Sequence, residues 1–212
     1  MVSPAPDFSH ENALMARGHR IVAGIDEAGR GPLAGPVVVA AVVLDPAALP
    51  SGLNDSKKLS PARRESLFTA IMASAMAVSV VAVPPALILA RNIRGATLWG
   101  MAEAAHNLSR APGAALIDGR DVPPGLPCPG HALIGGDGLS LSVAAASIVA
   151  KVMRDRMCAI MDCDTPQFGF AGHKGYGTAI HMQALTLHGA SRHHRAGFAP
   201  VAAVLRACEG AS

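Results

Sequence analysis

The sequence predicts an α/β fold, a mixed central β-sheet flanked by helices within one domain, and three observations lead there. Two runs rich in β-branched residues, IVAGID at 21–26 and PVVVAAVVL at 36–44, are joined by a segment too short for a crossover helix, so they should pair antiparallel. The short apolar run ALID at 115–118 ends in Asp118, as a buried strand does at the open edge of a sheet. Several longer stretches carry apolar residues at helical spacing.

Residues 1–19 have no continuous apolar core and read as a tail before a folded domain at 20–205, with 206–212 as a second tail. After the two strands, SPARRESLFTAIMASAM reads as a helix capped by Ser60, with Pro61 in its first position and Leu67, Ile71 and Ala75 on one face. A third strand is expected at 78–83. The charge-free stretch 67–90 is long enough to raise a membrane span, but Pro84-Pro85 and the strand-like VSVVAV divide it into a helix end, a strand and a turn. ATLWGMAEAAHNL at 96–108 is a second helix, and the Pro/Gly stretch at 122–130 is a loop. SLSVAAASIVAKVMRDRMCAIM at 140–161 is a helix almost uncharged over its first three turns, hence buried. TAIHMQALTLHG at 178–189 is a last substantial helix, ended by Gly189.

Composition agrees with a single core: 212 residues, half of them hydrophobic and only 3% aromatic, imply an aliphatic interior packed around small side chains. A net charge of +3 permits contact with an anion without identifying a nucleic-acid binder. Cys128, Cys158, Cys163 and Cys208 form no CxxC pair, so reduced thiols in a cytoplasmic protein are expected, and the chain is expected to be a monomer.

The segment GIDEAGRGPLAGP at 24–36 needs a specific explanation. Gly29-x-Gly31-x-x-Ala34 formally matches a dinucleotide fingerprint, but Pro32 and Pro36 prevent the helix that should follow, and Asp26 and Glu27 would repel a pyrophosphate. A Walker loop lacks its Gly-Lys-Ser/Thr. The bland alternative is a glycine-rich turn with two soluble acids at a strand end. Successive strand side chains face opposite ways, so both acids serve one site only where the strand ends or twists, and glycines allow a ligand to approach the backbone there.

Asp118, followed by Gly119, and Asp137 in GGDG hold comparable places. Four carboxylates at one sheet edge raise one another's pKa unless cations neutralise them, and oxygen-only donors suit Mg²⁺ or Mn²⁺. Two such ions about 4 Å apart serve phosphodiester hydrolysis. Sequence spacing alone leaves their convergence open.

Seven segments then carry a resemblance: GIDEAGRGPLAGPVVVAAVVL at 24–44, DSKKLS at 55–60, LIDG at 116–119, GGD at 135–137, AAASIVAKVMRD at 144–155, FGFAGHKGYGT at 168–178 and HR at 194–195. In this order they resemble the type 2 ribonuclease H family over residues 20–201. The resemblance implies an RNase H-like fold with a C-terminal helical region, and hydrolysis of RNA in RNA–DNA hybrids. It also implies incision 5′ to a ribonucleotide embedded in duplex DNA, leaving 3′-hydroxyl and 5′-phosphate ends. It assigns Asp26, Glu27, Asp118 and Asp137 to catalysis and to two Mg²⁺ or Mn²⁺ ions, with Asp26 shared. Gly29, Arg30 and Gly31 match the segment that recognises the ribose 2′-hydroxyl, and Tyr176 matches the tyrosine that packs on the neighbouring deoxyribose.

These assignments make chemical sense, because a 2′-hydroxyl both donates and accepts, and one aromatic face tolerates any base sequence. For Tyr176 the competing role is a core aromatic. Lys57, with Lys58, Arg30 and Lys174, is expected to hold phosphates, against the alternative of a solvated basic face. Lys151 and Asp155 have the spacing of a local helical pair. The histidines at 173, 181, 188, 193 and 194 show no zinc spacing. Two departures from the family pattern stand out: Leu87-Ile88-Leu89 replaces an acidic Glu-Ile-Asp stretch, and Gly197 precedes Phe198 where serine is common. A module that binds nucleic acid without turnover, or a related nuclease with another substrate, would share the basic and aromatic residues; only a nuclease requires the four acids.

Overall fold

The computed structural model describes residues 5–209, and its centre is a five-stranded mixed sheet. Strands β1 (Val22–Ala28) and β2 (Val37–Val43) pair antiparallel, and β2 pairs antiparallel with β3 (Ala77–Val83). On the other side β1 runs parallel to β4 (Ala114–Asp118), which runs parallel to β5 (Gly130–Leu133), giving the order β3-β2-β1-β4-β5. Helices α1 (Ser9–Ala16), α2 (Pro61–Ser74), α3 (Pro85–His106), α4 (Leu141–Asp164), α5 (Phe170–His173), α6 (Ala179–His188) and α7 (Ala199–Glu209) surround it.

Alternation along β2 explains the layers. Val37, Val39, Ala41 and Val43 pack with Ala96, Met101, Ala104 and Ala105 of α3 on one face. Ala40 and Val42 pack with Leu67 and Ile71 of α2 and with the apolar first half of α4 on the other. Burial on both faces is why β2 reads as an unbroken apolar run. Alanines keep the layers close, and Gly24 is the extreme case. A Cβ there would fall 2.1 Å from the Ser142 carbonyl carbon, so only glycine lets α4 cross β1 at this point.

The caps follow the expected chemistry. Ser60 accepts from Arg63 N, Ser140 from Val143 N and Thr178 from His181 N, and each opens its helix. Four elements differ from expectation. The Pro84-Pro85 turn is instead the start of α3: Pro85 takes the first helical position, and the helix kinks at Asn92 (φ 54°), whose side chain accepts from Gly95 N at 3.0 Å. Strand β5 starts at the end of the segment read as a loop; it has four residues, none β-branched, so it gave no pattern. The segment expected as an N-terminal tail contains α1, with Glu11 and Leu14 buried. Beyond position 205, α7 continues to Glu209; positions 1–4 and 210–212 of the two expected tails lie outside the described residues. Among the described residues, no helix is long and apolar enough to cross a membrane.

Candidate active site

The register sets the acidic edge. Ile25 of β1 pairs with Ile117 of β4, so Asp26 and Asp118 come next, side by side at the C-terminal ends of adjacent parallel strands. Ala23, Ile25, Ala115 and Ile117 face the α3 layer, which turns Asp26 and Asp118 toward the opposite face by alternation. Asp137 joins them from the short 3-10 turn Gly136–Gly138 that leads into α4, and Gly136 N donates to Asp118 Oδ1 at 2.7 Å. Glu27 N donates to Asp26 Oδ1 at 2.6 Å.

The acids feel one another. Burial, then the charges of Glu27, Asp118 and Asp137, push Asp26 well above the ordinary carboxylate range against the Glu27 amide. Burial also raises Glu27, with Asp118 adding to it and Arg30, 3.4 Å away, opposing. Asp137 is raised by burial and then by Asp55, a fifth carboxylate in the DSKKLS segment, to which the sequence assigns no role. Lys57 lies 3.7 Å from Asp137 Oδ2. Burial alone would lower its pKa, but Asp137, Asp55, Asp26 and Asp118 together outweigh that and raise it.

Among the described residues, no group of three or more His, Cys, Asp or Glu side chains is arranged to hold a metal ion as it stands. The donor chemistry nevertheless fits hard divalent cations. The donors are all carboxylate oxygens, and their mutual repulsion is the kind of charge excess that such cations relieve.

The glycine loop borders the same cleft, which is lined by Glu27, Gly29, Arg30, Gly31, Lys57, Lys151 and Tyr176 and has a volume of about 260 Å³. Its shape is fixed by two buried arginines. Arg195 donates to the carbonyls of Gly29 (2.6 Å), Arg30 (2.8 Å) and Gly35 (2.9 Å). Arg154 of α4 donates to those of Ala34, Pro36 and Lys174. Gly29 has φ 94°, and a Cβ there would fall 1.8 Å from Arg154 Nε, so the loop and the guanidinium exclude any larger residue. Burial, with Arg154 alongside, lowers Arg195 to about 9, which leaves it charged at neutral pH. Both arginines lay inside recognised motifs, yet no local pattern marks a lone arginine as a backbone clamp.

Tyr176 is 49% exposed, which overturns the core-aromatic alternative, and a Cβ on Gly31 would lie 3.7 Å from its ring. A histidine relay supports it from below. Ser191 N donates to His194 Nδ1 (3.0 Å), His194 Nε2 lies 3.1 Å from His181 Nε2, and His181 Nδ1 lies 2.8 Å from the Tyr176 carbonyl. With the Nδ1 of His194 accepting, the network closes when both rings are neutral. Burial lowers both pKa values, that of His194 to about 4 with His181 adding to the effect. His173 stacks on His181, and Phe170 packs edge-on against His181 and tilted against His194, so His181 and His194 are core residues of the C-terminal region. Lys151 pairs with Asp155 at 2.6 Å, as its spacing suggested, and Lys174 Nζ donates to the Ala171 carbonyl.

Comparison with known proteins points to one family. A family model described as Ribonuclease HII matches residues 23–201. The chain is 57% identical over 196 residues to the Ribonuclease HII of Mesorhizobium japonicum, covering 92% of this chain and 85% of that one. It is 55% identical over 195 residues to that of Xanthobacter autotrophicus, covering 92% and 78%. Its fold is similar to the ribonuclease H2 crystal structure from Pyrococcus horikoshii OT3, with TM-score 0.77 and 27% identity over 89% of this chain and 99% of that one. The chain therefore belongs to the ribonuclease HII family, metal-dependent endoribonucleases that hydrolyse RNA in RNA–DNA hybrids with Mg²⁺ or Mn²⁺.

Proposed function

We propose that this enzyme also incises duplex DNA on the 5′ side of an embedded ribonucleotide, leaving 3′-hydroxyl and 5′-phosphate ends. The observation that supports this reading most is that Glu27, next to Asp26 at the acidic edge, lines one cleft with the glycine loop, Lys57 and the exposed Tyr176. A duplex can then offer its scissile phosphate to the acids while its sugar lies against Gly29–Gly31.

Asp26, Glu27, Asp118 and Asp137 would hold the two divalent ions, which when bound supply Lewis acidity at the phosphate and lower the pKa of the attacking water. Asp26 would be the shared ligand, since it feels all three of the others. The Gly29 and Arg30 carbonyls are tied to Arg195, so the loop presents a fixed backbone surface to a 2′-hydroxyl. Tyr176 stacks on the adjoining deoxyribose, while Arg30 and Lys57 contact phosphates as exposed cations. We place the enzyme in the cytoplasm, a compartment that suits the free thiols of Cys128, Cys158 and Cys163.

The test is cleavage of three end-labelled duplexes: DNA with one ribonucleotide, the same duplex all-DNA, and a continuous hybrid. The expected result is incision of the first at the phosphate 5′ to the ribonucleotide, cutting of the third, and none of the second. Tyr176→Ala should slow the first reaction more than the third. Cutting of the hybrid alone would remove the junction reading, and binding without cutting in either metal would indicate a binding module.

A further inference from the structure

The amino end of α4 accounts for all of its first amides, and half of that accounting comes from the amino-terminal segment. Val143 N bonds Ser140 Oγ and Ala144 N bonds Ser140 O, both within the helix start. The amide of Leu141 instead donates to Asp7 O at 3.0 Å, and that of Ser142 to Glu11 Oε1 at 2.8 Å. Glu11 Oε1 also accepts from the Ser140 hydroxyl at 2.6 Å. Glu11 is fully buried, and its other oxygen is buried without a partner. A buried carboxylate with one unsatisfied oxygen is costly, so it needs a return.

The bonds run on from Glu11 to the acidic edge. Ser140 N donates to Gly136 O at 2.8 Å, closing the turn that carries Asp137, and Gly136 N donates to Asp118 Oδ1. Glu11 is therefore joined through Ser140 and Gly136 to two of the four acids at the edge. It also grips α4 where Gly24 brings β1 against Ser142, two residues before Asp26. The positive end of the α4 dipole favours an anion at this place.

We propose that Glu11 is a positioning residue for the metal-binding acids: by buckling α1 to the amino end of α4, it holds the Asp137 turn at the depth where Asp137 and Asp118 face the same ions. The proposal rests on the reading of Asp118 and Asp137 as metal ligands. It assigns a catalytic consequence to a segment whose sequence reads as a tail.

The experiment is Mn²⁺ binding to the full-length protein by titration calorimetry, together with kcat and KM on the hybrid duplex. Glu11→Ala should weaken Mn²⁺ binding about tenfold or more, the range typical of residues that orient metal ligands, and should lower kcat with KM little changed. Glu11→Gln keeps an acceptor oxygen for Ser140 and Ser142 and should recover most of the affinity. Ile71→Ala, buried in α2, controls for lost stability and should bind Mn²⁺ as wild type does. Wild-type Mn²⁺ affinity in a folded Glu11→Ala protein would overturn the proposal. If Glu11→Ala does not fold, Glu11→Asp, one methylene short, takes its place under the same criterion. Asp137→Asn in the same calorimeter separates the two claims: unchanged binding there would sink the ligand assignment itself, whatever the Glu11 variants do.

Discussion

The acidic edge and the glycine loop adjoin through Glu27 but are held in place by opposite means. At the edge, the main chain does the positioning: strand register sets Asp26 beside Asp118, and a backbone amide orders each. In the loop, side chains position the main chain, because Arg154 and Arg195 reach from distant segments to its carbonyls. Charge explains the difference. Carboxylates packed at one edge repel one another, so their geometry has to come from a frame indifferent to charge. A glycine-rich loop has few side chains with which to fix its carbonyls, so it borrows guanidiniums whose several donors satisfy several carbonyls at once.

Breaking the edge without moving it gives the largest expected effect. Asp26→Asn should lower metal-dependent cleavage by more than about a hundredfold, beyond the loss typical of a supporting residue. The same change should raise the melting temperature of the metal-free protein at neutral pH, because it removes a buried charge among like charges. Thermal melts and single-turnover cleavage read the two together; a lower melting temperature would contradict the electrostatic account of the edge.

Moving the loop without touching the acids comes next. Arg195→Lys keeps the charge but cannot fork to three carbonyls, so it should cost about 1–3 kcal/mol of stability. It should also slow cleavage beside a single ribonucleotide by up to about a hundredfold through misplacement of the loop. Mn²⁺ affinity should be retained, and a matching loss of Mn²⁺ binding would show that the two regions are not separable.

The pH dependence of stability should run in opposite directions in the two regions. Asp26, Glu27 and Asp137 are raised, so above the ordinary carboxylate range the folded metal-free protein binds more protons than the unfolded chain. Their contribution therefore falls as pH rises through the raised values. His194 is lowered to about 4, so between about 4 and about 6.5 the unfolded chain binds more protons, and this contribution is lost as pH falls. Melting curves of the combined Asp26→Asn, Glu27→Gln and Asp137→Asn variant across this range should isolate the histidine slope, with stability declining on acidification. A flat profile would mean that the relay beneath Tyr176 does not depend on neutral imidazoles.

The smallest effect concerns the two departures from the family pattern, which meet in space. A Cβ on Gly197 would lie 3.0 Å from Leu89 Cδ1, and both residues line one cavity with Phe198 and Arg195. Where the pattern carries an acid and a hydroxyl, this chain has a leucine over a glycine. Leu89→Asp and Gly197→Ser should therefore couple by about 0.5 kcal/mol in a double-mutant cycle of stability. Strict additivity would make the departures independent.

What could be read in advance follows the same division. The four acids are legible because each lies near a strand end or a helix start within a motif, and the strands because β2 is apolar throughout and β4 is apolar up to Asp118. Arg154, Arg195 and Glu11 are not, since all their partners but the Lys174 carbonyl are main-chain atoms or turn residues more than a hundred positions away, and nothing in a local window distinguishes a buried clamp from a surface charge. Pro84-Pro85 misled for a related reason: a proline pair breaks a helix from within but also begins one, and the capping context decides which.

The most direct test of the account is incision of a duplex containing one ribonucleotide by wild type and Asp26→Asn, in Mg²⁺ and then Mn²⁺, with Arg195→Lys alongside. Wild type should cut 5′ to the ribonucleotide only with metal, Asp26→Asn should not cut, and Arg195→Lys should cut the same phosphate more slowly. Near-normal turnover by a folded Asp26→Asn protein would contradict it.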